Sequence, residues 1–177
     1  MTPFAALQSA VARPLFRRGM GLALLTIIAD QLSKLWILHG VKLPERAMQT
    51  IELSPIFDLT YTENTGISFG LFAGGIASRI VLSVVSLVIS GFILRWLATI
   101  DRPVIAIAAG FILGGAIGNL VDRVIYGYVV DFIDFSDIGF AFIFNVADAA
   151  INVGVGLLLL DSLILEPRDK KKLGARL

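Results

Sequence analysis

The sequence contains no cysteine. That removes disulfides, thiolate nucleophiles and S-acylation of this chain together. It contains one histidine, His39. A zinc protease of the H-E-x-x-H type needs two on one helical face, and a serine triad needs a histidine base beside its nucleophile. His39 has no such partners in the sequence and fits an interfacial helix end better. No metal or other cofactor is expected. Charge is scarce as well: Asp, Glu, Lys and Arg make up 16% of 177 residues, against 56% hydrophobic residues and a mean hydropathy of +0.84. A net charge of +1 gives no footing for a nucleic-acid partner.

What is present is long apolar sequence. Four stretches, 19–39, 76–97, 104–120 and 147–165, can cross about 30 Å of hydrocarbon at about 1.5 Å per residue. The chain therefore reads as a single integral membrane domain over 1–177, an all-α membrane protein with four transmembrane helices. The first stretch is too long for a signal-peptide core, carries Asp30 and Lys34, and lacks a small-residue cleavage site, so it is expected to stay. Ten Lys and Arg residues flank one side (Arg13, Arg17, Arg18, Arg95, Arg102, Arg168, Lys170, Lys171, Lys172 and Arg176), against Lys42, Arg46, Arg79 and Arg123 on the other. The positive-inside bias then puts both termini in the cytoplasm and the loops 40–75 and 125–144 outside.

The rare polar residues are not scattered. Asp30 and Lys34 stand at i, i+4 on one helical face, with Asp30 about nine residues, or about 14 Å, below the outer end of its span. They fit either a self-contained ion pair or a pair that orients polar groups on neighbouring helices. In the first outer loop, Ile51, Leu53, Phe57, Leu59 and Tyr61 alternate with polar residues, which predicts a strand or hairpin with one apolar face, bent or at an edge where Pro55 interrupts it. Gly66-x-Ser68-x-Gly70 matches a serine-hydrolase elbow, but without a strand–turn–helix context or a nearby histidine that match is discounted. Asn64 and Gly66 suit a turn whose amide can bind a peptide backbone. Arg79 and Arg95 are expected to reach headgroups from the ends of the second span.

Gly110, Gly114 and Gly118 repeat every four residues and predict a close helix–helix seam. The same stretch ends in Asn119, Asp122 and Arg123. The loop that follows is aromatic (Tyr126, Tyr128, Phe132, Phe135, Phe140, Phe142), as suits an interfacial belt or lid, and it carries Asp131. The fourth span opens with Asn145 and Asp148, with Asn152 on nearly the same face. Ionisable groups beside hydrocarbon are costly and mark function by default. Asp131 and Asp148 both fall near the outer boundary. Two adjacent carboxylates share a proton, so one can deprotonate water while the other polarises a carbonyl. Spacing alone does not prove that they meet. An ion or proton transporter would need charges lining the whole bilayer; apart from Asp30, Lys34 and Asp161, these cluster at one edge.

Five segments in series carry a resemblance: Asp30-Gln-x-x-Lys34, Asn64-x-Gly66-x-x-Phe69-Gly70, Gly118-Asn119-x-x-Asp122-Arg123, Gly127-x-Val129-Val130-Asp131-Phe132 and Phe144-Asn145-x-Ala147-Asp148. Their order and content resemble bacterial lipoprotein signal peptidase (signal peptidase II) from about Asp30 to Asn152. The resemblance implies a four-helix membrane aspartyl endopeptidase with a small extracytoplasmic β platform, in the bacterial cell membrane, its site near the outer face. The implied substrate is a prolipoprotein cut just before a cysteine that already carries diacylglycerol. Membrane lipid is then the other contact, and no obligate protein partner is implied. By the same resemblance Asp131 and Asp148 are the catalytic dyad. Asn64, Gly66, Asn119, Arg123 and Asn145 would bind substrate or brace the dyad, with Asp30, Lys34 and Asp122 as supporting polar residues.

Overall fold

Proline starts two of the helices. In the computed structural model, which describes residues 11–66 and 75–165, helix α1 covers Pro14–Leu35 and α3 covers Pro103–Ile125, each with Pro in its first turn. There the missing N–H costs nothing and the fixed φ already suits a helix. Helix α1 runs on into a π-helical turn, Trp36–Gly40. Helix α2 covers Ile76–Leu97, and α4 covers Val146–Leu160 with a π-helical end at Asp161–Leu165. All four are long and apolar enough to cross a membrane. Their outward faces carry Leu24, Leu25, Leu32, Leu87, Val88, Phe92 and Leu159, all exposed in the isolated chain. The protein is a multi-pass membrane protein.

Helix α3 lies at the centre, packed on α1, α2 and α4. The glycine seam explains how. A Cβ on Gly114 would sit 2.7 Å from the Ala23 carbonyl oxygen of α1, closer than real carbon atoms approach, and one on Gly110 would strike the Gly19 carbonyl. With hydrogen in those places the backbones meet directly, which is how helices associate without a hydrophobic drive between them. At one end Phe16, Ala23, Ile93, Leu97, Ile100, Ala106 and Ala109 form an apolar core. At that end the Arg13 guanidinium donates to the carbonyl oxygens of Ala98 and Ile100, and Arg102 pairs with Asp161 at 3.0 Å.

At the other end the chain forms a four-stranded antiparallel sheet in the order β1 (Thr50–Ser54), β2 (Phe57–Asn64), β3 (Val129–Phe135), β4 (Phe140–Phe144). The alternating 51–61 stretch is a hairpin, and Pro55 occupies its two-residue turn instead of bending a strand. The aromatic 125–144 stretch is more than a belt: it supplies two strands that pair onto the first hairpin, so both outer loops make one sheet. Under it lie Ile37, Leu43, Leu59, Tyr61, Val130 and Phe132. Register places Thr62 opposite Asp131 and Asn64 opposite Val129. Phe140 and Phe142 remain exposed on the outermost strand. Arg79 departs from the expected headgroup contact: its guanidinium donates to the Val124 carbonyl oxygen at the end of α3, 2.6 Å away.

Candidate active site

Where α1, α3 and α4 meet the sheet, the apolar chain becomes polar. Lys34 of α1 is 2% exposed, and its ammonium contacts Asp30 and Asp122 at 2.8 Å each. The Asp30–Lys34 pair is thus not self-contained; it reaches across to α3. Each carboxylate has a second task. Asp122 accepts from the Val130 N–H at 3.0 Å, and Asp30 accepts from the Ala147 N–H at 2.9 Å. Val130 and Ala147 are the residues immediately before Asp131 and Asp148. One buried cation therefore joins two carboxylates that hold the backbone beside each candidate catalytic aspartate. Lone charges in such a place would be prohibitive; paired and hydrogen-bonded ones persist. Gln31 completes the cluster by donating to Asp30, Asp122 and the Gly118 carbonyl oxygen.

Two asparagines connect this cluster to the aspartates. An ammonium only donates, so Asn119 turns its oxygen to Lys34 (3.3 Å) and its amide nitrogen to Asp148 (2.8 Å). Asn145 caps α4: its side-chain oxygen accepts from the Asp148 N–H at 2.9 Å. Its nitrogen is then left to donate to Asp131 at 2.6 Å and to the Asn119 oxygen at 3.1 Å. From β2, Asn64 donates to the other Asp131 oxygen at 3.0 Å and accepts from the Gly66 N–H at 3.2 Å. The amides are thus oriented by Lys34 and by a helix terminus so that each presents N–H to a carboxylate. Asp131 and Asp148 are linked through Asn145 and Asn119, although they lie on a strand and a helix from different parts of the chain.

The environments of the two aspartates differ. Asp131 is buried, 1% exposed, and its pKa is pushed up to about 7, first by that burial and then by the charge of Asp148. The hydrogen bonds from Asn64 and Asn145 and the charge of Lys34 oppose the rise. Asp148 is half-buried in the first turn of α4, and a helix amino end stabilises negative charge. Arg123, half-buried one turn past Asn119, places its positive charge near Asp148, Asp131 and Asp122 and donates to the Asn119 backbone oxygen. Such a pair can hold one proton between a buried carboxyl and a charged partner, which is the requirement for acid–base work on a carbonyl.

The structure brings together Asp30, Lys34, Asn64, Gly66, Asn119, Asp122, Arg123, Asp131, Asn145 and Asp148. Asn152 is exposed and outside this cluster. Ser68, Phe69 and Gly70, and the basic residues Arg168, Lys170, Lys171, Lys172 and Arg176, lie outside the described residues. Gln31, which the sequence marks only as a polar residue beside Asp30 inside an apolar span, is the member that the structure adds to this cluster. Among the described residues no group of three or more His, Asp or Glu is arranged to hold a metal ion.

Known proteins resemble this chain over most of its length. A family profile described as "Signal peptidase (SPase) II" matches residues 22–164. The chain is 47% identical over 146 residues to a lipoprotein signal peptidase of Caulobacter vibrioides, covering 82% of this chain and 86% of that one. It is 39% identical over 160 residues to one of Rhodopseudomonas palustris, covering 87% and 96%. A solved bacterial membrane enzyme, 26% identical, superimposes with a TM-score of 0.72 over 83% of this chain and 93% of that one.

Proposed function

Because the chain belongs to the signal peptidase II family, we propose that it is an aspartyl endopeptidase that removes the signal peptide from diacylglyceryl-modified prolipoproteins, cutting just before the lipidated cysteine. The observation that carries this reading is the pair Asp131 and Asp148, joined through two asparagine amides and holding unlike environments. In the reaction the ionised carboxylate takes a proton from a water. That water attacks the scissile carbonyl, and the protonated carboxyl donates to the carbonyl oxygen as it becomes anionic. Collapse of the tetrahedral intermediate breaks the C–N bond, and the proton taken from water passes to the leaving amine. Asp131, the more buried member, suits the protonated role. Asn64, Asn119, Asn145 and Arg123 hold the dyad and the backbone of the substrate. Asp30, Lys34, Asp122 and Gln31 keep Val130 and Ala147 in place.

The substrate is a transmembrane peptide and a lipid at once, and the surroundings suit both. Exposed Phe140 and Phe142 on β4, with Ile56 and Leu53 at the β1–β2 turn, form an apolar rim on the sheet, and aromatic side chains favour the membrane interface. With Arg13, Arg17, Arg18, Arg95 and Arg102 at the opposite end, the sheet faces outward across the bacterial plasma membrane and both termini are cytoplasmic. The test is cleavage of a lipidated precursor by the purified protein, beside the same precursor unmodified. Asp131→Asn and Asp148→Asn should each lower the rate by about 10²–10⁴-fold, and the unmodified precursor should be cut far more slowly. Wild-type rates in either variant would overturn the aspartyl reading; equal rates on the two precursors would overturn recognition of lipid.

A further inference from the structure

Helix α2 packs mainly on α3, and the residues of its outer half are exposed or half-buried with one exception. Ser78 is the exception, at 1% exposed, in the first turn. Its hydroxyl donates to the Thr65 carbonyl oxygen at 3.2 Å. Thr65 follows Asn64, the residue that donates to Asp131. The next residue of α2, Arg79, donates to the Val124 carbonyl oxygen on the far side, and its guanidinium lies 3.3 Å from where a Cβ of Gly127 would be. Val124 follows Arg123, and Gly127, at φ +91°, makes the turn from α3 into β3. Arg79 thereby satisfies a helix-end carbonyl, as a cation at a helix carboxyl end should. One turn of a lipid-facing helix thus grips both chain passages that converge on Asp131.

We propose that Ser78 and Arg79 are positioning residues for the catalytic site: Ser78 sets Asn64 against Asp131 through the Thr65 carbonyl, and Arg79 sets the α3–β3 turn from which Asp131 follows. Neither touches the reacting atoms. This rests on the aspartyl reading above. Burial of a lone hydroxyl at the rim of an exposed helix has no packing purpose that alanine would not serve, whereas a displacement of about 1 Å at a catalytic group can cost about 10²-fold in rate.

The experiment compares wild type, Ser78→Ala, Arg79→Met, Asn64→Ala and the double variants Ser78→Ala/Asn64→Ala and Arg79→Met/Asn64→Ala on a lipidated precursor, with Asp131→Asn as the control for the dyad. Ser78→Ala should lower kcat about tenfold at unchanged KM and melting temperature, and should cost nothing further in the Asn64→Ala background, because residues acting through one contact are not additive. Arg79→Met should lower kcat in both backgrounds. A second readout is the pH profile. The Asn64 hydrogen bond holds the Asp131 pKa down, so its alkaline limb should move to higher pH in Ser78→Ala. Lys34 of α1, Asp122 and Arg123 of α3 and Asp148 of α4, the other charges around Asp131, stay in place. Full activity in Ser78→Ala, or the same fold-loss with and without Asn64, overturns the proposal while Asp131→Asn stays about 10²-fold or more below wild type. Wild-type rates in Asp131→Asn overturn the aspartyl reading itself, and this proposal with it.

Discussion

Helices α2 and α3 have 22 and 23 residues and each contains an 18-residue stretch of mean hydropathy 2.2, yet α3 buries eleven residues and α2 four. Hydropathy does not separate them, because lipid is as apolar as leucine. Side-chain size does. Eight of the eleven buried residues of α3 are Ala or Gly: Ala106, Ala108, Ala109, Gly110, Gly114, Gly115, Ala116 and Gly118. On α2 the corresponding bulk is Ile80, Val84, Leu87, Val88 and Phe92, turned outward. Small residues let α3 reach α1 and α4 at backbone distance, and at that distance the short side chains of Asn119 and Asp122 can bridge to Lys34, Asp148 and the Val130 N–H. The close seam therefore sets the reach of the polar groups at its end.

The strongest way to break that contrast is to add the same bulk to both helices. Gly114→Val puts carbon against the Ala23 carbonyl and Thr26, while nothing lies within 4 Å of a Cβ on Gly91. Backbone cannot yield as a flexible side chain can, so Gly114→Val should abolish stable protein and activity. Gly91→Val should leave abundance, melting temperature and cleavage within about twofold, as expected of surface substitutions. Comparable damage at both positions would mean that α2 is packed as tightly as α3 and that the contrast is wrong.

The seam was legible in the sequence because its four-residue spacing is a geometric statement about one helix face. So were the four spans, the first hairpin and the polar residues, since ionisable groups in an apolar chain stand out on their own. The pairing of 129–135 with 57–64 was not legible: an aromatic run such as Val129–Phe144 carries no period that distinguishes a strand from a lid. The direction of each Asn amide was equally hidden, because it is set by Lys34 and by the α4 terminus across long stretches of chain. Ser78 and Arg79 gave no signal, one a small polar residue and the other an arginine of the kind that ordinarily snorkels. Local pattern reveals elements and unusual residues; contacts between distant elements need the fold.

A second effect, smaller than loss of the seam, tests what α3 holds at its end. Asp30→Ala leaves Lys34 short of a partner and the Ala147 N–H without its acceptor. Removing one member of a buried ion pair costs about 3–5 kcal/mol, so this variant should lose most of its folded population at physiological temperature. Asp30→Asn, which keeps an acceptor for Ala147, should fold better and recover part of the activity. Thermal unfolding in detergent, read beside cleavage, checks both. If the Asp30→Ala melting temperature matched wild type, the cluster would not be bracing α1 and α4 against α3.

The smallest expected effect concerns the proton on Asp131, and it sharpens the contrast by asking what the polar end of α3 and its neighbours do to one carboxyl. Its pKa is raised from 3.8 to about 7, burial being the larger cause and the charge of Asp148 the next. A carboxyl with a raised folded-state pKa binds its proton more tightly when folded than when unfolded. The folded state is therefore favoured at low pH, and that advantage is lost as pH rises from about 4 towards 7. Melting temperature should fall across that window in wild type, and in Asp131→Asn the part of the slope due to this group should vanish. Asp148→Asn removes the second cause but not the first, so the slope should persist, weaker and centred at lower pH. The same slope in Asp148→Asn as in wild type would mean that the two carboxylates do not feel each other, and a shared proton could not then be the basis of catalysis.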